Sequence, residues 1–419
     1  MSAREESIEA RLATAGLPPL PRLAWLELDL DALSQNLRTL RSLAGGVPVH
    51  PVVKGDAYGH GAIPIARALV DAGAEGLGVA TMDEAVELRQ AGLTVPLRVL
   101  YPIPPALAGE AMREGITVAA GDVGTTPALL SAADAGAYAP TAAESDEGRR
   151  LLVEIEVETG LGRGGALPAD VSRIVEWIAA SRHARLVGLW THLQASEDGG
   201  ITGDQLRRFD EASGIVTAAG HALPARHVAA SGGVLTGVGA FDGIRPGLSI
   251  YGIIPDELDA VSDDARAGIR PVLSLHARPV RVVDLPVGYG ISYGPSFRTQ
   301  RPSRIATLPL GYGDGFARAH ANRAEAIVRG QRIPLVGNVT MDAVMADVTD
   351  VPGPPVDLED EFVLIGAQGT ERITVEDLAR QRTTNTWEVV TSMSARLPRV
   401  YHAATGAVVG MRTLAGWRG

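Results

Sequence analysis

The first 250 residues read as short β-rich runs alternating with helix-like stretches, and this rhythm constrains the fold more than any other feature. The runs are VHPVVK (49–54), GLGVAT (76–81), LRVLY (97–101), ITVAA (116–120), LLVEIEVE (151–158), LVGLWTHL (186–193), ARHVAAS (225–231) and GIRPGLSIYG (243–252). Strands interleaved with helices imply a parallel sheet, because parallel neighbours need a crossover between them. Eight runs at spacings of roughly 20–35 residues suggest an α/β chain closed into a (β/α)8 barrel of the TIM type. The fourth and fifth runs lie far apart. Residues 81–91 form one of the intervening helices and open on the capping-box pattern Thr81, Met82, Asp83, Glu84. Residues 4–15 read as a short helix ended by Gly16, and LAWLELDL (23–30) as an extra strand before the barrel.

After about residue 270 the pattern changes. LSLHARPVRVVDLPVG (273–288), RIATLPLGYG (304–313), AEAIVRGQRIPLVGNVTMDAVMADVTD (324–350) and DEFVLIGA (360–367) are strand-like and are broken by Gly, Pro and Asp turns. This predicts a mostly β C-terminal domain, with short helices near 374–381 and 385–395. The expected division is an N-terminal extension (1–22), a barrel (23–268) and a β-rich domain (269–419).

Composition excludes several function classes. The net charge of −11 argues against nucleic acid, whose phosphates need a basic surface. The absence of cysteine removes disulfides, thiolate metal sites and thiol nucleophiles, and the nine histidines show no metal-ligand spacing. No segment offers ~20 unbroken apolar residues and the N-terminus has no apolar signal region, so the expected setting is cytoplasmic, away from membranes.

Chemistry on such a barrel sits at the C-terminal strand ends. Lys54 ends the first run, Arg163 follows the fifth, His192 lies near the end of the sixth, Ser231 ends the seventh and Arg245 stands within the eighth. Five polar residues thus point to one rim. A lysine leaving an apolar strand can become a Schiff-base nucleophile, because desolvation frees its amine. Ser231-Gly232-Gly233 and Pro246-Gly247-Leu248 can present hydroxyl and N–H groups to a phosphate. GLGRGG (160–165) matches a dinucleotide-binding glycine pattern, but the next strand closes on Thr191 and His192 rather than on the acidic residue such a site uses.

Taken together, these segments resemble alanine racemase, a pyridoxal-phosphate family built from a barrel and a β domain. VVKGDAYGHG is similar to the family's cofactor-lysine motif, ETGLGRGG to its arginine loop, WTHL to its histidine strand, HVAASGG to its serine turn and IRPGLSIYG to its second arginine segment. GISYG, PLGYGDGF, GNVTMD and WEVVTSMSARLPRVY resemble further blocks, in family order, over about residues 24–415. The resemblance implies that Lys54 holds pyridoxal 5'-phosphate as a Schiff base and acts as one catalytic base, with Tyr293 as the other. Two bases on opposite faces suffice to interconvert L- and D-alanine, the latter for cell-wall synthesis. It implies that Tyr58, Ser231, Gly247 and Leu248 hold the phosphate. Arg163 meets the phenolic oxygen and the substrate carboxylate, Arg245 meets the pyridine nitrogen, and His192 links Arg245 with Tyr293. Met341 helps bind substrate through its backbone, Asp342 lies beside it, and Tyr312 lines the entrance. Ionising a free tyrosine at pH 7 costs about 4 kcal/mol, which a His–Arg chain can offset. In the family the β domain of one subunit completes the barrel site of the other, so a homodimer with shared sites is implied.

Two departures stand out. Where the family often carries a carbamylated lysine, this chain has Glu156, which can supply the same negative charge permanently and orient Arg163. The alternation E-x-E-x-E of 154–158 is equally what an exposed strand face shows. Trp387 stands where the family usually has a tyrosine that reaches the phosphate; tryptophan lacks the hydroxyl. Alternatives are a racemase of the same architecture for serine, lysine or a broader set, a fold-related decarboxylase of basic amino acids, a non-catalytic cofactor carrier, and a dinucleotide-dependent oxidoreductase. The decarboxylases use a cysteine as general acid, which this chain lacks.

Overall fold

A computed structural model describes residues 6–135, 150–255, 257–258, 261–403 and 406–419. Residues 4–5 of the expected first helix and 136–149 of the fourth-to-fifth connection lie outside the described residues.

Six parallel strands follow in sequence order: Leu77–Val79, Leu97–Val99, Ile116–Ala120, Leu151–Glu156, Ala184–Trp190 and Ala225–His227. The first and eighth runs close the ring as staves, but not as regular strands. Val52 bridges Gly78, and Val49 bridges Ile244. His50 N donates to Ile244 O at 2.9 Å and Val52 N to Pro246 O at 2.9 Å, while Arg245 N donates to Ala229 O at 2.8 Å. Proline explains the irregularity, since Pro51 and Pro246 have no N–H for a ladder. The eighth run then coils into a 3-10 turn at Leu248–Tyr251. The intervening helices are amphipathic. Pro168–Ala180 buries Val171, Ile174, Val175 and Ile178, an i, i+3, i+4, i+7 stripe against the strands.

The β-rich part is a twelve-stranded sheet among the described residues. Its centre includes Ala24–Asp29, which pairs parallel with Arg399–His402 and antiparallel with Leu273–Ala277. The strand that precedes the barrel in sequence is therefore hydrogen-bonded into the β domain. The helix Ile8–Thr14 packs Ile8 and Leu12 against Trp25, Val400, Val408 and Met411. Its Arg11 pairs with Glu27 at 2.6 Å. The two late helices are Val375–Arg382 and Thr386–Thr391. No helix among the described residues is long and apolar enough to cross a membrane.

Candidate active site

Lys54 opens a turn in which Gly55, Asp56, Ala57 and Tyr58 all adopt left-handed backbone, with φ of 62°, 54°, 54° and 53°. Each non-glycine residue there costs roughly 1–2 kcal/mol, so the turn must be held by its surroundings. Arg412 Nη1 donates to both carboxylate oxygens of Asp56, at 2.6 and 2.7 Å. Asp56 Oδ1 also accepts from Ala62 N at 2.8 Å. Gly55 N donates to Glu84 Oε1 at 2.7 Å. Arg399 Nε donates to Gly59 O at 2.9 Å, and Tyr401 Oη to His60 O at 2.9 Å. Gly59 lies so close to the 386–391 helix that a Cβ would stand 2.2 Å from Val390 O. The last strands of the β domain thus clamp the lysine turn. Glu84 was legible as the end of a capping box, whereas nothing in the sequence marked Arg412.

Lys54, Arg163, His192, Ser231 and Arg245 line one cavity of about 480 Å³, together with Tyr58, Gly247, Leu248 and Trp387. All five strand-end residues therefore converge. Burial lowers the Lys54 amine below the usual lysine range, and the Arg163 cation adds to the effect. Burial pulls His192 down to about 3, with Arg245, Arg163 and Lys54 acting in the same direction, so its imidazole is neutral.

One wall of the cavity is a cradle of donors. Ser231 Oγ accepts from Gly247 N and Ser249 N, both at 3.1 Å, which leaves its own O–H free to donate. Gly247 is needed as glycine, since a Cβ would stand 2.5 Å from Tyr58 Oη. Burial and the Glu84 carboxylate push the Tyr58 phenol up, so it remains a donor.

Arg163 Nη2 lies 3.3 Å from Glu156 Oε1, and its guanidinium sits 5.6 Å from the Tyr101 ring centroid. Glu156 is buried, not on an exposed face. Burial raises its carboxyl, and Arg163 opposes that shift. The glycines of GLGRGG serve the loop itself: a Cβ on Gly165 would stand 2.7 Å from Glu158 N, and Val157 bridges Ala166. The loop folds back on its own strand, which accounts for the glycine pattern without a nucleotide. Arg245 is buried over the Trp190 ring, 4.8 Å from its centroid. It donates to Thr191 O at 2.9 Å, His227 O at 2.8 Å and His227 Nδ1. His227 was not singled out in the sequence, although its partner Arg245 was.

Tyr293, Tyr312, Met341 and Asp342 form a separate group on the β domain, away from the Lys54 cavity. Tyr293 is 79% exposed, Met341 53% and Tyr312 44%. Asn338 Nδ2 donates to Tyr293 O at 2.7 Å, and Tyr312 N to Thr340 O at 3.0 Å. Gly311 permits this approach, since a Cβ there would stand 2.1 Å from Thr340 O. Arg396 Nη2 donates to Asp342 Oδ1 at 2.6 Å.

Residues 28–255 match the family model for the alanine racemase N-terminal domain, and residues 272–401 that for the alanine racemase C-terminal domain. The alanine racemase of Symbiobacterium thermophilum is 38% identical over 391 residues, covering 92% of this chain and 98% of that protein. The crystal structure of alanine racemase from Bacillus anthracis with bound L-Ala-P superposes with a TM-score of 0.83 at 30% identity, covering 95% of this chain and 99% of that one. A histidine racemase from Leuconostoc mesenteroides superposes with a TM-score of 0.80 at 26% identity, over 91% of this chain and 99% of that one. These likenesses define the class as an isomerase that joins a parallel barrel to a mostly β domain. The chain belongs to the alanine racemase family.

Proposed function

We propose that this chain interconverts L- and D-alanine with pyridoxal 5'-phosphate, as a cytoplasmic homodimer that supplies D-alanine for cell-wall synthesis. The observation that carries this reading is the convergence of five strand-end residues and a donor cradle on one cavity. The residues fit the cofactor: a partly desolvated lysine amine at one side, and at the other the hydroxyls of Tyr58 and Ser231 for a phosphate, with the Gly247-Leu248 backbone beside them and Gly247 N holding Ser231 Oγ in place. When bound, pyridoxal phosphate supplies the electron sink that makes the α-proton of an amino acid removable.

The chain's own residues do the rest. Arg163, oriented by Glu156, holds the substrate carboxylate. Arg245 would hold the pyridine nitrogen of the bound group and, as a guanidinium cation at neutral pH, would have no acidic proton to give it. Lys54 moves the proton on one face of the substrate. The barrel carries this half, and the β domain, which also takes in the strand Ala24–Asp29, carries Tyr293, which reaches the other face in the partner subunit's cavity. Neutral His192 can accept or relay a hydrogen bond between Arg245 and that tyrosine. The Met341 backbone contacts substrate with Asp342 beside it, and Tyr312 narrows the entrance.

The test is direct. Purified protein supplied with pyridoxal phosphate should show a bound-pyridoxal absorbance band, lost on borohydride reduction, and should convert L-alanine to D-alanine. A second reading, turnover of a larger amino acid, is favoured by the likeness to a histidine racemase, and Trp387, in place of the family's tyrosine, lines the cavity and changes its shape. A panel of L-alanine, L-serine, L-lysine and L-histidine separates the two. Faster conversion of any of the other three than of alanine would overturn the first.

Glu156→Gln removes the charge beside Arg163 while keeping shape. Its kcat/KM should fall roughly tenfold, the scale expected when a partner that orients a contact residue is lost. Added bicarbonate should leave the wild-type rate unchanged. Wild-type kinetics in the variant would show that the charge is idle.

A further inference from the structure

Side chains from alternate strands share layers inside a (β/α)8 barrel, and such layers are usually filled by Val, Ile and Leu. One layer of this barrel is ionisable instead. The odd staves contribute His50, Arg98, Glu154 and His227 in turn, and burial, with the Arg98 cation acting in the same direction, pulls His50 down to about 3. Space is made by glycine. A Cβ on Gly188 would stand 2.7 Å from Glu154 Cγ, and one on Gly76 would stand 2.6 Å from His50 Nδ1.

Three of these groups form a chain that ends at the cavity. Arg98 Nη2 lies 3.1 Å from Glu154 Oε1, Glu154 Oε2 lies 3.2 Å from His227 Nε2, and His227 Nδ1 is hydrogen-bonded to Arg245. Glu154, His227 and Arg245 are all at least 96% buried. The hydrogen positions follow from the partners. A guanidinium only donates, so His227 Nδ1 must present its lone pair to Arg245. Nε2 then carries the hydrogen, and the Glu154 carboxylate accepts it. Burial pulls His227 down to about 4, consistent with a neutral ring. Arg98 offsets the buried charge of Glu154, which alone would be expensive in a dry interior.

We propose that Arg98 and Glu154 are positioning residues that fix the Nε2–H tautomer of His227 and, through it, hold Arg245 against the cofactor ring. The last link rests on the reading of Arg245 as the partner of the pyridine nitrogen.

Two measurements test it. Nitrogen-15 shifts of the His227 ring, assigned against His227→Gln, should show a protonated Nε2 and a bare Nδ1 in the wild type, with or without pyridoxal phosphate. The opposite tautomer, or a doubly protonated ring, would overturn the relay. The second compares Glu154→Leu with the double variant Arg98→Met/Glu154→Leu, which removes both charges and avoids stranding one. Both should lower kcat roughly 10–100-fold with little change in KM, and both should shift the absorbance maximum of bound pyridoxal. Return of kcat and spectrum to wild type in the double variant would reduce the pair to a structural role and overturn the proposal. Absence of a pyridoxal band in the wild type would instead overturn the proposed function and the step from Arg245 to the cofactor, while the tautomer still decides the relay.

Discussion

Tyr293→Phe is expected to abolish racemisation while leaving pyridoxal phosphate bound. The side chain is 79% exposed on the β domain, so losing its hydroxyl breaks no packing within the chain. The segment is held through its backbone, by Asn338 Nδ2 to Tyr293 O at 2.7 Å and Ser292 Oγ to Asn338 O at 2.6 Å, and phenylalanine keeps both contacts. Removal of a positioned acid–base group costs about 10²–10⁴-fold, and under the proposed two-base scheme every turnover uses both. In deuterated solvent the variant should still exchange the α-proton of one alanine enantiomer, through Lys54, and lose exchange of the other. Exchange of both enantiomers at wild-type rates would refute the assignment of two bases on opposite faces.

Lys54→Ala should have the larger effect, removing the covalent anchor and the other base together. Racemisation should become undetectable, and borohydride should fix no pyridoxal to the protein. Folding should persist, because the left-handed turn is held by other residues. Arg412 and Ala62 N bind Asp56, Glu84 binds Gly55 N, and Arg399 binds Gly59 O. Thermal unfolding of cofactor-free protein checks this, with Tm expected to stay near that of cofactor-free wild type. A collapse in Tm would mean that the lysine stem, rather than the clamp, holds the turn.

The barrel was legible because hydrophobic runs alternating with helices report parallel strands directly. The runs containing Pro51 and Pro246 read as strands because their side chains follow the pattern, yet their missing N–H groups leave only bridges. The strand 24–29 could be recognised but not placed, since strand character says nothing about which sheet receives it. The five rim residues were found because a barrel sends strand ends to one place whatever the loops do. The alternating glutamates 154, 156 and 158 could equally have marked an exposed face. That ambiguity belongs to period-two patterns, and inside a barrel the alternate face is the interior, where Glu154 and Glu156 are 4% and 7% exposed. Arg98, His227 and Arg412 carried no signal because their meaning lies in contacts between distant staves and domains. The family likeness named Tyr293, but no pattern within the chain links it to Lys54, and in one subunit the two belong to separate surfaces.

That separation makes subunit mixing the most direct test of the shared-site account. Lys54→Ala and Tyr293→Phe chains, each inactive alone, would be co-expressed with different tags and the mixed dimers measured for L-alanine racemisation. A two-fold dimer that shares sites places both lesions in one cavity and leaves the other intact. Random pairing makes half the dimers mixed, each with one working site of two, so activity should return to about a quarter of wild type. It should reach about half in purified mixed dimers. No recovery in verified mixed dimers would contradict the account, because each cavity would then draw Lys54 and Tyr293 from the same chain.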